Sequence, residues 1–216
     1  MTSSRKFPQV ELIELIHNYN INIDKREIFL TPHDTECEVD CLMSAEFVRN
    51  IQFLNNTNHN PILIHVGTAG GDWNYGMMIY DAIANSSSRI ITISYACACS
   101  MGSIIPQAAD LRIIMPHADF MIHKGYISYE GTSKGAKYNI EWNNYLNRVM
   151  VELYAEKCQD GQYFKDWSPK RIATFLQNKM DKKEDWYMTA DEAVEYGFMD
   201  GVLGSEGFEN IETIMG

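Results

Sequence analysis

Ser100 has the surroundings in which a side chain does chemistry. It follows an apolar stretch, residues 89–95 (RIITISY), and four small residues, Ala96-Cys-Ala-Cys99, and it opens a helical pattern, Ser100-Met-Gly-Ser-Ile-Ile105. A serine at such a junction exposes its hydroxyl at the carboxyl end of a strand. The amides of a helix start point outward there and stabilise an oxyanion. His123 ends a second apolar run, Phe120-Met-Ile122, where an imidazole acts as general base to a serine and then as general acid to a leaving amine. A carboxylate must fix the tautomer of that imidazole, and Asp181, Glu184 and Asp185 lie together ahead of Thr189. Gly70-Gly71 ends the preceding strand unit, and Gly71 can offer a backbone N–H with no side chain in the way. Taken singly, each feature has a plainer reading: a helix-capping serine, a core histidine, a tight turn, a solvated acidic surface. Spacing alone does not choose among the three carboxylates.

These residues need a scaffold that brings strand ends together. Residues 10–16 (VELIELI) read as a short helix, residues 28–30 as a short strand, and residues 38–55 as a helix with Val39, Leu42, Met43, Phe47, Ile51 and Leu54 on one face. Pro61 opens a buried strand at 62–66, Gly67 to Gly71 form a turn, and residues 73–84 form a helix. Further strands fall at 89–95, 112–115 and 120–122. Strands alternating with helices specify an α/β fold with crossover units and mainly parallel pairing. Residues 133–157 form the longest helical pattern, with Tyr138, Trp142, Tyr145, Leu146, Val149, Leu153 and Tyr154. Such a helix projects from the body or packs on a partner; an ordinary core helix is the plainer alternative. A shorter helix is expected at 169–179. Thr189-Ala-Asp-Glu192 is a capping box whose helix stops at Gly197.

Composition narrows the function. A chain of 216 residues has enough surface to bury a sizeable core, and 45% hydrophobic with 22% charged residues is an ordinary globular balance. A net charge of −11 repels phosphate backbones and anionic membrane surfaces, so no nucleic-acid or membrane partner is expected. The start lacks the apolar core of a secretory signal, and no apolar run of about 18 residues exists. Five cysteines (Cys37, Cys41, Cys97, Cys99, Cys158) make a disulfide framework a poor fit and a reducing, cytoplasmic compartment a better one. His33, Cys37 and Cys41 share i, i+4, i+8 spacing but lack an evident fourth ligand, so no metal site is assigned. Cys99 reads as a small packing residue. Trp73, Tyr75, Met77 and Met78 fit either a peptide-binding surface or the core. No P-loop or dinucleotide fingerprint is present, and no cofactor is expected.

Several of these stretches resemble the proteolytic subunit of Clp proteases, the ClpP-like serine peptidases. His65-Val-Gly-Thr-Ala-Gly-Gly71 is similar to that family's strand and glycine turn, and Gly76-Met-Met-Ile-Tyr-Asp81 to the helix that follows. Ala98-Cys-Ser-Met-Gly102 resembles the nucleophile motif and Met121-Ile-His123 the histidine motif. Asp185-Trp-Tyr-Met-Thr-Ala-Asp-Glu-Ala193 and Glu195-Tyr-Gly-Phe-Met-Asp200 are similar to the acidic motif and its helix. The resemblance runs from about residue 28 to 202. It implies a ClpP/crotonase-like spiral of ββα crossover units with a projecting long helix at 133–157. It further implies Ser100 as nucleophile, His123 as base, Asp185 as orienting carboxylate with Asp181 in reserve, and the N–H groups of Gly71 and Met101 as the oxyanion hole. Residues 26–216 would be a single protease domain behind a divergent segment, 1–25. The implied function is a serine endopeptidase of heptameric rings stacked as a tetradecamer, degrading unfolded polypeptide delivered by a separate AAA+ unfoldase ATPase.

The chain departs from the family pattern in places. Ala69 stands at a usual proline, Ala96 at a usual glycine, and Lys124-Gly125 at a usual Gln-Pro. Extra residues fall between Cys158 and Asp181, and the terminus does not resemble the family's pore loop. Two rival readings follow: a non-catalytic ring subunit of the same fold, and a crotonase-type acyl-CoA hydratase or isomerase in which Ser100 has no role. A dedicated processing protease, such as one acting in virus assembly, would share the chemistry.

Overall fold

The computed structural model describes residues 8–31 and 38–215. In chain order these form α1 (Gln9–Tyr19), β1 (Ile21–Asn22), β2 (Glu27–Leu30), β3 (Glu38–Val39), α2 (Cys41–Thr57), β4 (Ile62–Thr68), β5 (Gly70–Gly71), α3 (Trp73–Ala84) and β6 (Ile90–Cys99). The chain continues through α4 (Met101–Ile104), β7 (Leu111–Ile114), β8 (Asp119–Ile122), α5 (Ser133–Lys157), α6 (Pro169–Lys183), β9 (Trp186–Met188), α7 (Ala190–Glu195), β10 (Gly201–Val202) and α8 (Ile211–Met215). The main sheet runs β1-β2-β4-β6-β7-β10, with β8 added to β6 and β9 added to β8. Its pairings are parallel except at β1–β2 and β8–β9. This is the α/β crossover architecture expected from the sequence. Strand β1 lies within residues 1–25 and pairs with β2, which stitches that segment to the sheet.

The continuous apolar runs become the central strands because both of their faces are covered. Ile62, Ile64, Val66 and Ile90 point into the larger core, with Phe47 and Ile51 of α2 and Ile79 and Ile83 of α3. Leu63, Ile91, Ile93 and Ile113 point to the other face, closed by Ile214 of α8 and by Phe208. Period-2 alternation distributes the strand residues between the two faces.

Several boundaries differ from expectation. Residues 38–39 are strand, because Asp40 caps α2 by accepting the Met43 N–H at 2.8 Å and so starts the helix at Cys41. Gly70-Gly71 is a short strand paired with β3 rather than a free turn. Helix α1 runs on to Tyr19, β6 to Cys99 and α6 to Lys183, and β1, β9, β10 and α8 have no counterpart in the sequence reading. Thr189 and Glu192 do form the capping box, and Gly197 follows α7 with φ 80°.

Strand β6 forks. Residues 91–94 pair with β7, whereas residues 97–99 pair with β8. Between them Ala96 has φ 49°, and the β4–β6 register slips there, from Val66↔Ser94 to Thr68↔Ala98. The left-handed backbone explains why a glycine is usual at this position. The kink lifts the second half of β6 away from β7 and delivers its carboxyl end to β8.

Helix α5 is exposed along most of its length. Its buried residues are Met150, Val151, Tyr154 and Ala155, all in the last third, while Tyr138, Ile140, Trp142 and Tyr145 are exposed. The residues from Cys158 to Phe164 fold into two 3₁₀ turns, and Phe164 packs with Tyr163, Trp167, Phe175 and Tyr196.

His65 stacks on Phe29 at 4.6 Å, and its Nδ1 lies 2.9 Å from the Tyr95 hydroxyl. Its Nε2 is buried without a hydrogen-bond partner among the described residues. Burial therefore lowers its pKa from 6.5 to about 4. The fold holds the neutral ring, so this contribution is complete above the unfolded value of 6.5 and is lost as pH falls toward 4. Denaturation at pH 7 and pH 4 should show wild type losing up to about 3 kcal/mol more than His65→Phe, which keeps the stack and cannot be protonated. Equal losses would show that His65 does not titrate on unfolding.

Candidate active site

The fork in β6 brings two strand ends together. β8 lies parallel to residues 97–99, and the Ser100 N–H donates to Met121 O at 3.0 Å. That bond fixes the serine backbone to a residue two positions before His123. On its other edge β8 runs antiparallel to β9, with Met121 opposite Tyr187 and Ile122 opposite Trp186. Extending the register by one step sets His123 opposite Asp185. Directly opposed residues have their side chains on one face, about 5 Å apart at Cβ.

The side chains make the contacts that this register predicts. His123 Nε2 lies 2.9 Å from Ser100 Oγ, and His123 Nδ1 lies 3.0 Å from Asp185 Oδ1. The imidazole side chain is 12% exposed and the carboxylate 38%, so the ring is shielded while the site stays open on one side. Tyr126 packs edge-on against the imidazole, with centroids 5.5 Å apart. Of the other acidic candidates, Asp181 is ion-paired with Lys124 and Glu184 caps the end of α6 with φ 55°. Neither takes the place beside His123.

Ser100 has φ 53° and ψ −122°, a conformation that costs a non-glycine residue energy and is concentrated at functional sites. It turns the hydroxyl out of the strand just as α4 begins. Small neighbours permit the turn. A Cβ on Gly70 would lie 2.5 Å from Ser100 Cβ and 3.0 Å from its Oγ, and one on Gly102 would lie 2.5 Å from Thr68 O. The spacing small-x-Ser-x-small in Ala98, Ser100 and Gly102 is the sequence signal of this elbow.

Gly71 and Met101 each have an N–H outside the pairing of their own element. Asp72 N–H bonds Val39 O at 3.0 Å, and alternation along the strand turns Gly71 N–H to the opposite edge. Met101 is the first residue of α4, whose opening N–H groups have no partner within the helix. Cys99, next to the serine, has its thiol pKa raised to about 11, chiefly by burial and further by Cys97, Asp119 and Asp185, so it stays protonated at neutral pH. A cleft of about 400 Å³ opens beside Lys124, between α5 (Asn144, Asn147, Arg148) and α6 (Ala173, Gln177).

Of the remaining candidates, His33 and Cys37 lie outside the described residues, and Cys41 is exposed at the start of α2. Among the described residues no group of three possible metal ligands occurs, and no helix is long and apolar enough to cross a membrane. Sequence reading did not find β9, and with it missed the register that selects Asp185. It also missed Ser103 and Tyr154, which hydrogen-bond to each other behind the elbow.

A hydroxyl and an imidazole at the carboxyl ends of two parallel strands, joined in one hydrogen-bonded chain to a carboxylate at the start of an antiparallel one, are the equipment of a serine hydrolase. Residues 13–206 match the sequence model of the Clp protease family. The ATP-dependent Clp protease proteolytic subunit 1 of Protochlamydia amoebophila is 30% identical over 198 residues, covering 88% of this chain and 85% of that one. The proteins of that name from Chlamydia trachomatis (27% identical over 188 residues, 85% of this chain and 88% of theirs) and Chlamydia abortus (26%, with the same coverage) are also similar. The chain belongs to the Clp protease family, and it is a serine peptidase of that family.

The β8–β9 register places Asp185, and not Asp181, opposite His123. Asp185→Asn should lower peptidase kcat by roughly three to four orders of magnitude by favouring the wrong imidazole tautomer. Asp181→Asn, which removes a half-exposed ion pair, should change it by less than about threefold. Steady-state cleavage of a fluorogenic peptide measures both, and a reversed order would reassign the carboxylate.

Proposed function

We propose that Ser100 is the nucleophile, His123 the general base and Asp185 the carboxylate that holds the imidazole, with the N–H groups of Gly71 and Met101 as the oxyanion hole. The observation that carries this reading is the unbroken chain from Ser100 Oγ through His123 to Asp185, at 2.9 and 3.0 Å. Ser100 Oγ attacks the scissile carbonyl as His123 Nε2 takes its proton. Asp185 stabilises the imidazolium and does not itself become protonated. The oxyanion develops against the two amides, each worth roughly 3–4 kcal/mol of transition-state stabilisation. His123 then protonates the leaving amine, and water repeats the sequence on the acyl-enzyme.

The substrates in this reading are unfolded polypeptides handed over by a separate AAA+ ATPase. The relatives are named as subunits of an ATP-dependent protease, and this sequence carries no P-loop with which to hydrolyse ATP itself. Rings of seven subunits stacked as a tetradecamer are the assembly we propose. The exposed outer part of α5, with Tyr138, Ile140, Trp142 and Tyr145, together with exposed Tyr126, Ile127 and Tyr129 after His123, supports burial against other subunits. A non-catalytic subunit would have no need of a hydroxyl–imidazole–carboxylate chain, and a crotonase-type reaction would leave Ser100 without work.

Ser100→Ala should abolish peptide cleavage and labelling by a fluorophosphonate while leaving particle size in gel filtration unchanged. Undiminished cleavage by that variant would sink the mechanism.

A further inference from the structure

Behind the nucleophile lies a buried hydrogen-bond chain that the mechanism above does not use. Tyr154, on the buried last third of α5, is 1% exposed, and its hydroxyl lies 2.6 Å from Ser103 Oγ. Ser103 Oγ in turn lies 2.6 Å from the carbonyl oxygen of Ser100. A carbonyl only accepts, so the Ser103 hydroxyl proton points at Ser100. Its oxygen is then the acceptor for Tyr154, and the direction of the chain is fixed: Tyr154 O–H to Ser103 Oγ, and Ser103 O–H to Ser100 O. Burial raises the phenol pKa far above the working range, so Tyr154 keeps the proton it donates.

The Ser100 carbonyl also accepts the Ser103 N–H at 2.9 Å and the Ile104 N–H at 3.3 Å. The peptide unit is planar and trans, so the C=O of Ser100 and the N–H of Met101 belong to one rigid plate and point in opposite directions. Whatever aims the carbonyl inward aims the Met101 N–H outward, toward the reacting carbonyl. Hydrogen bonds accepted at one end of that plate also polarise the N–H at the other. From the same side Gln107 Nε2 holds Ser103 O at 2.9 Å and Phe198 O at 3.1 Å. The Tyr154 ring meets Phe198 edge-on at 5.3 Å, and Phe198 packs on Phe120, on the strand that leads into His123. Tyr154 therefore touches the supports of both the nucleophile and the base without touching either.

We propose that Tyr154 is a positioning residue for the oxyanion hole: through Ser103 it sets the Ser100–Met101 peptide plane, and so ties the aim of the Met101 N–H to the seating of helix α5. This rests on the reading of Met101 as an oxyanion donor. The effect belongs to the transition state, because the Met101 N–H meets full negative charge only there.

The test compares wild type with Tyr154→Phe, Ser103→Ala and the double variant, each as the full chain in its native assembly. Competent sites are counted by end-point fluorophosphonate labelling, and kcat and KM for a fluorogenic peptide are measured per labelled site. Each single variant should lower kcat per site about tenfold, the worth of one hydrogen bond, with KM within twofold, and the double variant should be no slower than the worse single one. Binding of a peptide aldehyde, whose hemiacetal oxygen occupies the oxyanion hole, should weaken by the same factor as kcat. An unchanged kcat per site in Tyr154→Phe would overturn the proposal, as would a loss of labelled sites at wild-type rate per site, which marks a merely structural role. If Tyr154→Phe does not fold, Ser103→Ala alone carries the same comparison. Undiminished cleavage by Ser100→Ala would instead overturn the underlying reading, so the two failures are distinct.

Discussion

Strand β8 is four residues long, and the site depends on both of its edges. One edge runs parallel to the last residues of β6, and the other runs antiparallel to β9. The first pairing sets how far Ser100 stands from His123, and the second sets which acidic residue faces the imidazole. A one-residue slip on either edge would turn every side chain of the slipped strand to the opposite face. Register is held by burial: Phe120 and Ile122 of β8 and Trp186 and Met188 of β9 are all in the core, and none can turn outward without exposing a large apolar side chain. The geometry that joins Ser100, His123 and Asp185 is thus maintained mainly by hydrophobic burial on the far face of the same strands.

The strain at the site has a similar source. Ala96 and Ser100 both have positive φ, the first within β6 and the second just past its end. The first bends β6 out of the main sheet and the second turns the chain into α4. Neither residue is glycine, so the surroundings must hold them there. The hydrogen bond from Ser100 N–H to Met121 O and the three donors on Ser100 O supply that restraint at the second bend. Gly70 and Gly102 are required beside it because any side chain at either would meet the Ser100 side chain or Thr68 backbone.

Much of this was legible in the sequence. Apolar runs with small-residue ends gave the parallel strands, and the limits of α3 and α5 are those that the helical pattern set. Ser100 and His123 stood out because each ends an apolar run, where a strand delivers its residue to a shared edge. Asp185 did not stand out on physical grounds, because β9 is a three-residue strand whose pattern is buried–exposed–buried, too short to register as a period. Its partner is fixed by a non-local pairing with a strand more than sixty residues earlier, and no local pattern encodes that. Resemblance to the family supplied what spacing could not. Gly70-Gly71 was read as a turn for the same reason: its strand character comes wholly from β3.

The segment between Cys158 and Asp181 links the two strands of the site and is folded onto one of them. Its residues would lengthen the span between His123 and Asp185 and loosen the β8–β9 pairing if they stayed solvated. They instead bring Tyr163, Phe164 and Trp167 into contact with Phe175 of α6 and Tyr196, and Phe175 and Tyr196 both meet Trp186 of β9. The Lys179 ammonium lies over Phe175 and Trp186 at 5.3 and 5.1 Å, which adds a cation–π attraction to the same corner. The aromatic cluster thus clamps Trp186, and Trp186 adjoins Asp185 in the chain. The route to Asp185 therefore ends on a strand anchored by buried aromatic rings, and Phe164, Leu176 and Tyr154 all belong to the same core.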